Sequence, residues 1–175
     1  YMEIRRDYYL DKLIKRKNNG LVKVITGIRR CGKSYLLNTI FYRQLLDSGV
    51  DENHIIRFAF DSADDLYLIG ESLIKIEKEK RGVDPEKFMA YIRSRTMGEG
   101  MYYLLLDEVQ MLDCFESVLN GYLRKDNMDV FVTGSNARFL SKDIITEFAG
   151  HGDEIHMYPL SFSEFMSVYK GDKYE

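Results

Sequence analysis

The chain has 175 residues, 45% of them hydrophobic, 30% charged and only two proline, which fits one ordinary soluble domain with its own core and excludes disordered and collagen-like chains. The longest unbroken apolar run is the six residues from Met101 to Leu106, far below the ~20 that cross a bilayer, and no basic-then-apolar amino end suggests a signal peptide. The net charge of −3 is uneven, with ten Lys/Arg against three Asp/Glu in residues 1–33 and fifteen against twenty-five thereafter, so an anionic ligand is expected near the front, either phosphate groups or nucleic acid.

Periodicity predicts a first helix from about Arg5 to Lys17, closed by Asn18-Asn19-Gly20. Leu21 to Thr26 is a short β-branched run followed at once by glycine, the pattern of a buried strand entering a tight loop. Ser34 to Ser48 has apolar residues at helical spacing and Gly49 as a left-handed terminator. A second strand is predicted over His54 to Phe60, then helices over Glu71 to Arg81 and Pro85 to Thr96, the latter opened by Asp84 and Pro85. Met101 to Leu106 is apolar at every position, as a parallel strand covered on both faces would be. Asp113-Cys114-Phe115-Glu116 resembles a capping box and should start a helix lasting to about Lys125. Strand four is Val130 to Thr133, followed by a helix over Ala137 to Phe148, a short strand over Glu154 to Tyr158 and a last helix opened by Ser161 to Glu164. Strands separated by helices, without hairpin signals, argue a parallel α/β sheet. The two cysteines, Cys31 and Cys114, are too few for a disulfide framework and fit a reducing cytoplasm.

Gly27-Ile28-Arg29-Arg30-Cys31-Gly32-Lys33-Ser34 matches the P-loop pattern without a mismatch, between an apolar strand and an amphipathic helix as that pattern requires. The two glycines permit backbone angles that let successive N–H groups turn toward phosphates at the positive end of the helix. Lys33 is expected between the β- and γ-phosphates, with the Ser34 hydroxyl on Mg²⁺. The nucleotide-binding set is then Gly27, Arg29, Arg30, Cys31, Gly32, Lys33, Ser34 and Tyr35. Arg29 and Arg30 either touch phosphates or stand as exposed loop residues. A thiol at Cys31, beside a lysine and a helix start, is open to redox control or is simply tolerated.

Leu104-Leu105-Leu106-Asp107-Glu108 is an apolar strand ending in two acids. Such acids emerge where a P-loop also opens, at the carboxyl ends of parallel strands. Asp107 is expected to bind Mg²⁺ and Glu108 to polarise the attacking water, which favours hydrolysis over binding alone. If strand four lies between the P-loop strand and the Asp107 strand, Ser135 or Asn136 of Thr133-Gly134-Ser135-Asn136 could hold that water; the alternative is an ordinary turn and helix cap.

Together these strings resemble the AAA+ branch of P-loop ATPases. Within it they resemble a prokaryotic family that pairs an amino-terminal AAA domain with a carboxyl-terminal domain of unknown function. The resemblance rests on Tyr9-Leu10 and Leu13, the loop from Gly27 running on to Leu37, Leu106 to Gln110, Thr133 to Asn136, and Pro159-Leu160-Ser161-Phe162-Ser163-Glu164-Phe165. It implies a three-layer α/β P-loop fold over residues 1–175, a five-stranded parallel sheet ordered 5-1-4-3-2 with helices on both faces, ATP with Mg²⁺, and catalytic Lys33, Glu108 and Asn136. It also implies hydrolysis coupled to movement of a carboxyl-terminal domain or separate effector, in a protein longer than this chain and open to oligomerisation. Where such proteins usually carry an arginine finger, this chain reads Gly150-His151-Gly152-Asp153. Because that arginine is worth ~10³–10⁵ in rate, an ATP-operated switch with little turnover is the rival reading. Arg124 and Arg138 are substitutes the sequence does not position. A phosphotransferase is less favoured, as no acceptor pocket is evident. Nucleic acid is a partner suggested by Arg5, Arg6, Lys12, Lys15, Arg16 and Lys17, against a plain solvated helix face.

Overall fold

Short β-branched and aromatic runs alternate with amphipathic helices, and a chain of that pattern buries its strands only by pairing them in parallel under two helical layers. The computed structural model describes residues 3–27, 32–135 and 152–157. In chain order these form α1 (Glu3–Lys15), β1 (Val22–Thr26), α2 (33–47), β2 (Ile55–Ala59), α3 (Ala63–Leu68), α4 (Leu73–Glu79), α5 (Pro85–Arg95), β3 (Tyr102–Asp107), α6 (Phe115–Leu123), β4 (Met128–Thr133) and β5 (Gly152–His156). The sheet order is β2-β3-β4-β1-β5 and every pairing is parallel. This is the order expected from the resemblance, and β4 lies between β1 and β3.

Alternation along the strands divides the interior into two cores. On one face Val22, Val24, Leu104, Leu106, Val130 and Val132 pack with Phe88 and Ile92 of α5 and Val118 and Leu119 of α6. On the other, Ile25, Leu105, Phe131 and Ile155 pack with Leu36, Leu37, Phe41 and Leu45 of α2 and with Tyr9 and Leu13 of α1. All six residues of β3 are buried, as its unbroken apolar run predicts. The edge strand β2 exposes Arg57, whose guanidinium lies 3.6 Å from the Tyr42 ring centroid, a charged edge that discourages further strand pairing.

Local signals held where their chemistry is short-range. The Asp84 carboxylate accepts from the Glu86 N–H at 2.9 Å with Pro85 in the first turn of α5, and Gly49, at φ 96°, ends α2. Residues 36–41 of α2 are π-wound. Three features differ from the sequence expectation. Residues 63–68, where no element is predicted, form α3, capped by the Ser62 hydroxyl, and the helix predicted from Glu71 starts only at Leu73, capped by Ser72. Asp113 does not cap α6: the N-cap is Cys114 at φ 56° with no side-chain cap, and the Asp113 N–H donates to the Val83 carbonyl at 3.0 Å. The helix over Ala137 to Phe148 and the one opened by Ser161 lie outside the described residues. Among the described residues no helix is long and apolar enough to cross a membrane.

Candidate functional site

Strand β1 ends at Thr26, and α2 begins seven residues later. Gly27 has φ 145° and Gly32 φ 91°, conformations that a Cβ would strain. Gly32 is the N-cap of α2 and its carbonyl accepts from the Leu36 N–H at 2.9 Å. The helix therefore aims its positive end at the loop mouth. Lys33 is buried, and its ammonium curls back to donate to the Gly27 carbonyl at 2.7 Å.

The next side chain reaches across the sheet. The Ser34 hydroxyl donates to Asp107 Oδ2 at 2.6 Å, joining the loop to the end of β3 across 73 residues of sequence. Asp107 is 5% exposed, and its other oxygen accepts from the Thr133 hydroxyl at the end of β4. Thr133 Oγ1 in turn accepts the Glu108 N–H at 3.0 Å. One hydroxyl thus contacts both acids, and the seat of β4 between β1 and β3 supplies it. A hydroxyl and a carboxylate oxygen in contact form the hard, sparse donor set that Mg²⁺ uses when water and phosphate complete its octahedron, so these residues fit the cation.

Glu108 sits at φ 56°, ψ 49°. A non-glycine residue held in this region costs of order 1 kcal/mol and persists where the surroundings over-determine it. Its carboxylate accepts the Ser135 hydroxyl, shared between its two oxygens at 2.8 and 2.7 Å, and the Gln110 side-chain amide. The structure thus brings together Gly27, Gly32, Lys33, Ser34, Asp107, Glu108 and Ser135. Tyr35 is 53% exposed and lines an open groove of about 300 Å³ between α1 and α2 with Asp7, Leu10, Thr39 and Arg43. Arg29, Arg30, Cys31, Asn136, Arg138 and His151 lie outside the described residues. Arg124 closes α6 ahead of β4, at the end of the sheet opposite Thr133, and does not join this chain's site. Thr133 and Gln110 carry no role in the sequence reading. The only available signal was position, a hydroxyl closing a buried strand and an amide two residues beyond the second acid.

A family model described as an AAA domain matches residues 19–166. An uncharacterized protein of Haemophilus influenzae is 33% identical over 165 residues, covering 93% of this chain and 37% of that protein; the chain thus spans about a third of that relative's length. Among solved structures, Cdc6p from Pyrobaculum aerophilum is similar at TM-score 0.56 and 15% identity, covering 96% of this chain and 50% of that one. AMPPCP-bound DnaA from Aquifex aeolicus is similar at TM-score 0.55 and 14% identity, covering 95% and 49%. At these identities the structural likeness is one of fold. The family match runs from the end of α1 past β5 and takes in the loop, both acids and the end of β4, and on that ground the chain belongs to the AAA domain family, as a nucleotide-binding P-loop domain of AAA+ type.

Proposed function

We propose that this domain binds ATP with Mg²⁺ and hydrolyses it. The observation that carries the reading is the contact between Ser34, in the first turn of α2, and Asp107, at the end of β3, with Glu108 beside it. In this reading the N–H groups from Gly27 to Ser34 cradle the phosphates and Lys33 turns its ammonium from the Gly27 carbonyl to the β- and γ-phosphate oxygens. Ser34 and Asp107 hold the cation, which supplies charge neutralisation on the phosphates when bound. Glu108 orients and polarises a water in line with the γ-phosphorus; the new P–O bond forms as the bond to the β-phosphate oxygen breaks, and the water's proton passes to the carboxylate. The one domain of residues 1–175 would then drive a carboxyl-terminal domain or separate effector, which the greater length of the H. influenzae relative supports.

Phosphate release from Mg²⁺-ATP, measured beside nucleotide affinity, tests this. Lys33→Ala should weaken ATP binding at least about tenfold, and Glu108→Gln should keep affinity while losing about 10²-fold or more in turnover. Release no faster than in Glu108→Gln would overturn hydrolysis by this chain. Nucleic acid is a further partner this reading allows, through the basic residues of α1 and Arg16 just after it, some of which also pair within the chain. Lys15 pairs with Asp11 at 2.8 Å, Arg16 with Asp153 at 3.0 Å, and Lys12 lies 4.5 Å from the Tyr8 ring centroid.

A further inference from the structure

Glu108 is gripped by a residue that the reading above leaves without a task. Gln110 lies two positions on, in the tight turn Val109–Met111, which the Met111 N–H closes onto the Glu108 carbonyl at 3.1 Å. That turn folds the Gln110 amide nitrogen onto Glu108 Oε2. Its orientation is forced, because the reversed amide would set a carbonyl oxygen against a carboxylate. The consequence is visible at the other end of the same group: Gln110 Oε1 is buried without a hydrogen-bond partner among the described residues. Leaving such an acceptor unsatisfied ordinarily costs about 1–3 kcal/mol, so the amide is placed by its contact with Glu108 rather than by a partner for its oxygen among the described residues. The Ser135 hydroxyl, carried by the chain leaving β4, reaches both carboxylate oxygens, meeting Gln110 at Oε2.

We propose that Gln110 is a positioning residue that, with Ser135, clamps the Glu108 carboxylate in the orientation from which it addresses the attacking water. The inference rests on the hydrolysis reading. A carboxylate offers about four lone-pair sites, and two single-proton donors leave sites for a water while removing the rotation of the carboxyl group. The backbone of Glu108 is already constrained by its left-handed conformation and by Thr133, so the side-chain clamp removes the freedom that remains.

The test is a double-mutant cycle in the full chain with ATP, reading single-turnover hydrolysis and nucleotide Kd. Gln110→Met keeps length and bulk and deletes the amide. We expect its turnover to fall about tenfold with Kd within about twofold, and the same change in a Glu108→Gln background to have no further effect. Gln110→Glu, which sets a second carboxylate against the first, should fall further than Gln110→Met. Thermal unfolding of each variant confirms that it folds. Turnover in Gln110→Met within twofold of the parent, or an equal fall in both backgrounds, would overturn the clamp while leaving hydrolysis standing. A parent chain that binds ATP but turns over no faster than Glu108→Gln would overturn both.

Discussion

Thr133 stands between the two acids of the site. Its single hydroxyl proton goes to Asp107 and one of its lone pairs takes the Glu108 N–H, and the side chain is buried. Thr133→Val preserves shape and removes both contacts, leaving a buried carboxylate oxygen and a backbone N–H unpaired. The expected cost is about 1–3 kcal/mol of stability together with a roughly tenfold loss of Mg²⁺-dependent turnover, while Thr133→Ser retains both. Urea midpoints and phosphate release check this, and a Val variant with full activity would show that Asp107 needs no orienting partner.

At the scale of elements, the segment that follows Glu108 is tied to the helices between β2 and β3. Val83 and Leu112 form a parallel bridge in which the Val83 N–H donates to the Met111 carbonyl at 2.8 Å. Gly82 makes the approach feasible, since a Cβ there would stand 2.8 Å from that carbonyl. Glu71 anchors the whole junction: it accepts both Arg81 guanidinium nitrogens at 2.6 and 3.1 Å, Lys87 at 3.3 Å and the Asp84 N–H at 3.2 Å. Arg81 above all, then the Asp84 N–H and Lys87, hold the Glu71 carboxyl down to about 2 against the opposing effect of burial. A carboxyl held below its unfolded value adds stability that is complete above the unfolded value and is lost as pH falls through the folded one. Glu71→Gln should therefore cost on the order of 2 kcal/mol near neutrality, and this difference should shrink between about pH 5 and pH 2. Chemical denaturation of both proteins across that range measures it, and a difference constant with pH would refute the assignment.

Across the whole molecule, the end of the sheet opposite the site holds a second polar network. Lys23 of β1 is fully buried, paired with Asp129 of β4 and lying 4.7 Å from the Phe131 ring centroid. Burial lowers the Lys23 pKa, while Asp129 opposes that fall. Asp129 also accepts the Asn18 N–H at 2.8 Å, and Asn19 and Arg16 both reach Asp153 of β5 at 3.0 Å. The link from α1 into β1 is thereby tied to both neighbouring strands, fixing which pair flanks the P-loop strand. Asp129→Ala leaves an ammonium buried without its partner and should cost about 3–5 kcal/mol, whereas Lys23→Met with Asp129→Leu should recover most of it. Equilibrium unfolding of the single and double variants decides the point; a single-variant loss below about 1 kcal/mol would show the pair to be dispensable.

Features with short-range causes were legible in the residues themselves. The positive φ of Gly27 and Gly32, the Asp84-Pro85 start of α5 and the Gly49 stop of α2 each follow from local backbone sterics and capping, and the apolar run that makes β3 ends in sequence at Asp107 and Glu108. The alternation of strands and helices likewise dictated a parallel sheet, while its strand order came from the family resemblance. The tertiary structure alone decided that Thr133 bridges Asp107 and Glu108, that Gln110 and Ser135 enclose the Glu108 carboxylate, that Lys23 lies inside a strand with Asp129, and that Asp113 gives its N–H to Val83 rather than capping α6. These contacts join residues brought together by strand order or a reversed turn, and a polar group finds its partner there only after packing has excluded water.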